Sequence, residues 1–136
     1  MAFVIKAAID DPQATGWTFA GQKTMYGGKR IAEGDVVFVI ASENEGGPGL
    51  IACGVVTSAR EVPKASDVPR QTPRVDIAVR VTAHATRPLG RAVLKRFADW
   101  DDGRPETELN FKLYRQATNK IVGLSEGTAT FLDTFF

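Results

Sequence analysis

Val75-Asp76-Ile77-Ala78-Val79-Arg80-Val81-Thr82 alternates along its whole length, with Val, Ile, Val and Val on one side and Asp, Ala, Arg and Thr on the other. Strand side chains point to opposite faces in turn, so this is a strand with one buried and one wet face. It can run on to Thr86 before Arg87-Pro88 ends it. Upstream, Pro63, Pro69 and Pro73 bracket a polar connection, and before it a second strand runs from Leu50 to about Val62, with Ile51, Cys53 and Val55 on one face. Glu43 to Gly49 is a loop on composition, and Gly46-Gly47-Pro48-Gly49 reads as a tight connection between strands. The run Val36-Val37-Phe38-Val39-Ile40 is a buried core strand fed by a turn over 31–35. Phe3 to Ile9 reads as a first strand stopped by Asp10-Asp11-Pro12. Residues 13–25 fit neither pattern, with Gly16 and Gly21 weakening any long helix.

Downstream, Leu89, Val93 and Phe97 fall at helical spacing and predict a short amphipathic helix over 89–97. Asp99 to Pro105 is an acidic loop carrying Trp100. Phe111 to Tyr114 and Ile121 to Leu124 read as short strands. Ser125 is placed to cap a helix, with Glu126 at its positive end. Phe131 and Phe135, and Leu132 and Phe136, lie four apart, so a C-terminal helix packs on the sheet or on a partner. No repeat, linker or low-complexity tract interrupts the 136 residues. The expectation is one α+β domain over 1–136, mostly β, with short helices around a mixed, barrel-like sheet.

At 43% hydrophobic and 24% charged residues the chain has the balance of a globular domain. No stretch approaches the roughly 20 apolar residues that span a bilayer, so no membrane partner is expected. Met1 to Lys6 lacks the features of a secretory leader, and a single cysteine, Cys53, cannot form an internal disulfide. A cytoplasmic location is the resulting expectation. The net charge is only +1, but from Arg60 to Arg96 nine Lys or Arg face three acids, whereas Asp99 to Glu108 holds five acids and one arginine. Such a basic segment can steer an anionic ligand to one face.

Motifs for catalysis are missing. There is no Gly-x-Ser-x-Gly, Walker loop, His-Glu-x-x-His or Cys-x-x-Cys. Cys53 reads as a structural thiol and His84 as a structural or surface residue. Asp99, Asp101 and Asp102 lack the spaced ligands of a calcium loop. No catalytic residue, metal site or cofactor is expected.

Two polar clusters stand out instead. Ala41-Ser42-Glu43-Asn44-Glu45 follows a buried strand, and Ser42 and Asn44 can each donate and accept hydrogen bonds, as a nucleobase edge demands. Lys112 to Lys120 gathers Tyr114, Arg115, Gln116 and Asn119 with two lysines. Rings and guanidinium planes stack on bases, amides read base edges, and cations neutralise phosphate. Trp17 and Trp100 offer further stacking surfaces.

The order of these pieces resembles the EVE domains of the PUA-like superfamily, which also holds the PUA, ASCH and YTH domains. The resemblance is carried by Trp17, Gly-Asp-Val-Val-Phe (34–38), Ala-Ser-Glu-Asn (41–44), Gly-Leu-Ile-Ala-Cys-Gly-Val-Val (49–56), Val-Asp-Ile-Ala-Val-Arg-Val (75–81), Arg-Pro-Leu (87–89) with Leu94-Lys95 beyond, and Leu-Tyr-Arg-Gln (113–116). It implies a PUA-like mixed pseudobarrel of five to six strands with flanking helices, and a pocket for a modified base in RNA or DNA. Carried over to this chain, the pocket residues are Trp17, Ser42, Asn44, Tyr114, Arg115 and Gln116. Residues 116–121 depart from the Arg-Leu-Ser-type strand of the commonest EVE pattern. Two alternatives stand beside the binding module. One is an ASCH-type hydrolase or nuclease using Glu43 or Glu45. The other is an interaction protein that forms a homodimer through the phenylalanines of its C-terminal helix.

Overall fold

In the structure, a computed structural model that describes residues 1–65, 67 and 71–136, the alternating stretch lies within a strand over Arg74–His84. Val75, Ile77 and Val79 are buried, whereas Arg80 and Thr82 are exposed. With it stand β1 (Ala2–Ala7), β2 (Gly16–Met25), β3 (Val36–Ala41), β4 (Gly49–Glu61) and β6 (Lys120–Gly123), so the alternating strand is β5. They close into a barrel in the order β1-β3-β4-β5-β2-β6. The β1–β3 and β2–β6 pairs are parallel and the other four antiparallel, which makes the barrel mixed, as the sequence implied. Pro69 lies outside the described residues.

Period-two alternation sorts the apolar side chains into two cores. Phe3, Ile5, Val37, Val39, Ile77 and Ile121 fill the barrel. Val4, Phe38, Ile40 and Val122 point out of it, under a layer formed by Leu94, Leu109, Leu113 and Leu132. Each fully buried side chain of this size contributes roughly 1.5–3 kcal/mol. The covering layer comprises α1 (Arg91–Leu94), α2 (Pro105–Leu109) and α3 (Glu126–Asp133). No helix among the described residues is long and apolar enough to cross a membrane.

Three local readings change. Residues 16–25 are a strand despite their glycines, because Gly21, at φ +60°, forms a bulge between Phe19 and Gln22. The Gly21 N–H donates to the Asp76 carboxylate at 2.7 Å, so the bulge leaves no orphan donor. In β4, Val39 pairs with Ala52 but Ile40 with Leu50, leaving Ile51 as the extra residue. Ile51 and Ala52 therefore join the barrel core, while half-buried Cys53 turns toward the outer layer. The third change concerns Phe111–Tyr114, which is helical: α2 widens into a π turn over Asn110–Tyr114. Pro105 and Glu106 begin this helix, and Leu109 and Leu113, four apart, are both fully buried.

The helix expected over 89–97 is a single turn, Arg91–Leu94, and Val93, expected on its apolar face, is 39% exposed. Glycine at 49 is required twice over: φ is +94°, and a Cβ there would stand 2.4 Å from the Leu89 carbonyl oxygen. Ser125 caps α3, its hydroxyl accepting from the Thr128 N–H at 3.3 Å. Leu132 and Phe135 are buried in the chain's own outer core, and Phe136 packs against Phe38 with ring centroids 5.9 Å apart. The C-terminal helix thus packs on the barrel.

Candidate functional site

Continuing the outward face of three strands toward one barrel end replaces apolar side chains with polar ones. Val4 is followed by Lys6 on β1, Phe38 and Ile40 by Ser42 just past β3, and Val122 is preceded by Lys120 on β6. Lys6, Ser42 and Lys120 are each only 1% exposed, and Lys6 and Lys120 are cross-strand partners.

Above them the π turn ends. Its i to i+5 bond, from Arg115 N–H to the Asn110 carbonyl at 3.0 Å, delivers Tyr114 and Arg115 to this end of the barrel. The last carbonyls of the turn are met by lysines: Lys6 Nζ donates to Leu113 O at 2.7 Å and Lys95 Nζ to Tyr114 O at 3.2 Å. Cations at a helix C-terminus are favourable for this reason. The Tyr114 hydroxyl donates to Glu43 at 3.0 Å (Oε1) and 3.2 Å (Oε2). Glu43 Oε2 also accepts from the Arg91 N–H at 2.6 Å, and Arg91 Nη1 donates to Asn44 Oδ1 at 2.9 Å. Arg115 lies over the Phe111 ring, 3.8 Å from its centroid.

These groups enclose a cavity of about 430 Å³ lined by Lys6, Ser42, Glu43, Asn44, Arg91, Lys95, Tyr114, Arg115 and Ala117. That volume lies in the range of small-molecule sites. The Ser42 Oγ is buried and has no hydrogen-bond partner among the described residues. A buried hydroxyl left unmatched costs free energy, and a ligand group can satisfy it. Burial pushes the Lys6 ammonium below its usual range, with Glu43 opposing and Arg91 adding to the effect. Lys120 is pushed down to about 8, first by burial and then by the charges of Lys6 and Arg115. Tyr114 is raised well above an ordinary phenol by burial and by Glu43, which keeps it a neutral donor.

Of the six nominated residues, Ser42, Asn44, Tyr114 and Arg115 line this cavity, and Trp17 and Gln116 do not. Trp17 packs against the barrel interior, beside Phe19 at 6.2 Å between centroids, on the opposite face of the sheet from Lys6 and Ser42. Its Nε1 donates to the Asp11 carbonyl at 3.1 Å. Gln116, one residue beyond Arg115, lines a different surface hollow with Lys23, Met25 and Thr118. Glu43, considered only as a catalytic group, holds both Tyr114 and the Arg91 backbone, while Glu45 is exposed. Lys6 was not singled out; Arg91 and Lys95 entered as charges only with the 60–96 basic segment, and Lys120 only as the end of the 112–120 cluster. The visible signal was a lysine in phase with buried residues of an apolar strand. Of the basic segment, Arg91 and Lys95 reach the cavity, whereas Arg60 pairs with Asp76 at 2.7 Å and Arg87 lies over Phe135.

Gly90 adjoins this arrangement. A Cβ there would stand 2.7 Å from Glu43 Oε2, so Gly90→Ala must displace the carboxylate from the Arg91 N–H. The expected loss is about 1 kcal/mol in urea denaturation, the worth of a hydrogen bond. A stability equal to the parent's would show that the bond contributes nothing.

No family model and no curated protein sequence matches the chain. Among solved structures, the chain is similar to the DUF55 domain of human thymocyte nuclear protein 1, at 15% identity and a TM-score of 0.66, covering 98% of this chain and 97% of that one. It is similar, at 14% identity and a TM-score of 0.66, to human THYN1 protein in complex with 5-methylcytosine-containing DNA, covering 98% and 95%. A Pseudomonas putida protein matches at 14% identity and 0.65 over 99% of both chains. At such identities the likeness establishes architecture alone: the closed, mixed six-strand barrel with short helices is the fold shared with these proteins, and it matches a PUA-like pseudobarrel.

Proposed function

We propose that the chain is a nucleic-acid-binding module that takes a modified nucleobase, in RNA or DNA, into the cavity between the 42–44 strand end and Tyr114-Arg115. The observation that carries this reading is the unmatched Ser42 hydroxyl, buried in a cationic cavity beside Asn44 and Tyr114. Ser42 and Asn44 offer donors and acceptors to the base edge, and the Tyr114 and Arg115 planes flank its face. The base must leave its stack to enter, as in other proteins that handle single bases. The fold's likeness to a protein seen with 5-methylcytosine-containing DNA supports the same reading.

Fluorescence anisotropy with single-stranded and duplex DNA, with and without 5-methylcytosine, and with RNA of matching sequence tests it. Binding should depend on the base and weaken steeply with salt. Ser42→Ala and Arg115→Ala should each lower affinity about tenfold, the effect of losing one hydrogen bond or charge contact. Trp17→Ala, if folded, should match the parent. Negligible binding to every species at low salt would sink the proposal. Divalent-metal-dependent turnover that disappears in Glu43→Gln would replace it with the hydrolase reading.

A further inference from the structure

The cavity carries more positive charge than a base can use. Lys6, Arg91, Lys95 and Arg115 line it and Lys120 is the cross-strand neighbour of Lys6, yet Glu43 is the one carboxylate among the lining residues. The ion pairs formed among the described residues, Met1–Asp35, Arg60–Asp76 and Lys112–Glu108, all lie elsewhere. The cavity cations are held by neutral groups instead: the Leu113 and Tyr114 carbonyls, the Asn44 amide oxygen, and the Phe111 ring with the Tyr26 hydroxyl. With a helix C-terminus equivalent to roughly half a negative charge, the cluster keeps an excess of about three and a half positive charges. Two of its members, Lys6 and Lys120, are buried side by side. Like charges held out of water call for a counter-charge.

A nucleobase supplies hydrogen-bonding edges and a π face but no anion. The anion attached to every nucleotide is its phosphate. We infer that the cavity is a nucleotide site rather than a base site, in which a phosphate adjoining the recognised base is seated among Lys6, Lys95 and Arg115. This rests on the proposed base-binding reading and adds a second, anionic half to the same ligand. Lys6 and Lys95 each use one of three ammonium protons on a carbonyl, so both retain donors for phosphate oxygens. The Arg115 guanidinium, 3.8 Å from the Phe111 ring centroid, spends one N–H on the Tyr26 hydroxyl and retains others for phosphate oxygens.

Isothermal titration of the full chain with 5-methyl-2′-deoxycytidine, its 5′- and 3′-monophosphates, and inorganic phosphate tests the inference. One of the monophosphates should bind at least tenfold more tightly than the nucleoside, and Lys95→Gln with Arg115→Gln should shrink that advantage to less than threefold. Circular dichroism of the double variant checks that it is folded. If the nucleoside binds as tightly as both monophosphates, the phosphate half falls and the base reading stands. If inorganic phosphate binds as tightly as the monophosphate, the base reading falls and the anion site stands. Absence of binding by all four at millimolar concentration overturns both.

Discussion

Lys120→Met should stabilise the protein at pH 7 by about 3 kcal/mol, because the lysine side chain is 1% exposed and its ammonium titrates at about 8 rather than 10.5. Burial is the main cause, and the charges of Lys6 and Arg115 add to it. No hydrogen bond or ion pair of the Lys120 ammonium is found among the described residues to offset the desolvation. Methionine keeps the stem's length and flexibility and removes the charge. The pH dependence fixes the sign. Between about pH 8 and 10.5 the unfolded chain binds more protons at this position than the native one. The parent's stability therefore rises across that window, and the methionine variant should lack the rise. Urea denaturation at pH 7 and pH 10 measures both. A variant less stable than the parent at pH 7 would show that the ammonium is matched in the folded state. If the cavity takes an anion, the same substitution weakens its binding, so stability and affinity should move in opposite directions.

The second large effect is at Glu108, whose carboxylate ties α2 to the start of α3. It accepts from the Ser125 N–H at 2.9 Å, the Ser125 hydroxyl at 2.5 Å, the Thr128 hydroxyl at 2.8 Å and Lys112 Nζ at 3.1 Å. Burial alone would raise its pKa, but these donors outweigh it and hold the group below the ordinary carboxylate value of 4.5. Glu108→Ala strands the helix-capping donors and leaves Lys112 without its carboxylate, an expected loss of about 3 kcal/mol. The stabilisation is fully present above the ordinary carboxylate range and is lost as pH falls through the depressed native value. Glu108→Gln should therefore flatten the acid limb of the stability curve as well as lower it at pH 7. An acid limb identical to the parent's would overturn the assignment.

Much of this architecture was legible because alternation is a local property. Residues 75–82 declare a buried face by alternation, the apolar runs at 36–40 and 3–9 declare core strands, and Ser125 declares a helix start. What escaped is what a sequence window hides. Gly21 breaks the alternation of β2, and its bulge is repaired by Asp76, 55 residues away. Phe111 and Leu113 imitate a strand by their spacing of two, whereas the buried pair is Leu109 and Leu113, four apart where α2 runs into the π turn. The site was half visible for the same reason. Ser42 and Asn44 stood out after a buried strand, and Tyr114-Arg115 in a polar run. Lys6 did not, because the outward face of β1 reads as solvent until a helical layer is laid over it. Trp17 was nominated by chemistry and resemblance, and the two-residue period of β2 turns it toward the other face.

The pairing of β1 with β6 bears on when the cavity comes into being. Phe3 meets Gly123 and Lys6 meets Lys120, so this seam joins segments more than a hundred residues apart. Contacts of such sequence separation form slowly, because the chain between them must be ordered first. The cavity lies on that seam: Lys6 comes from one side, Lys120 stands on the other, and the Lys6–Leu113 bond spans 107 residues. During refolding, ligand binding should therefore appear with the last kinetic phase rather than with the early collapse. A ligand that binds there acts as a clasp, slowing the barrel's reopening while leaving the rate of the earlier steps unchanged.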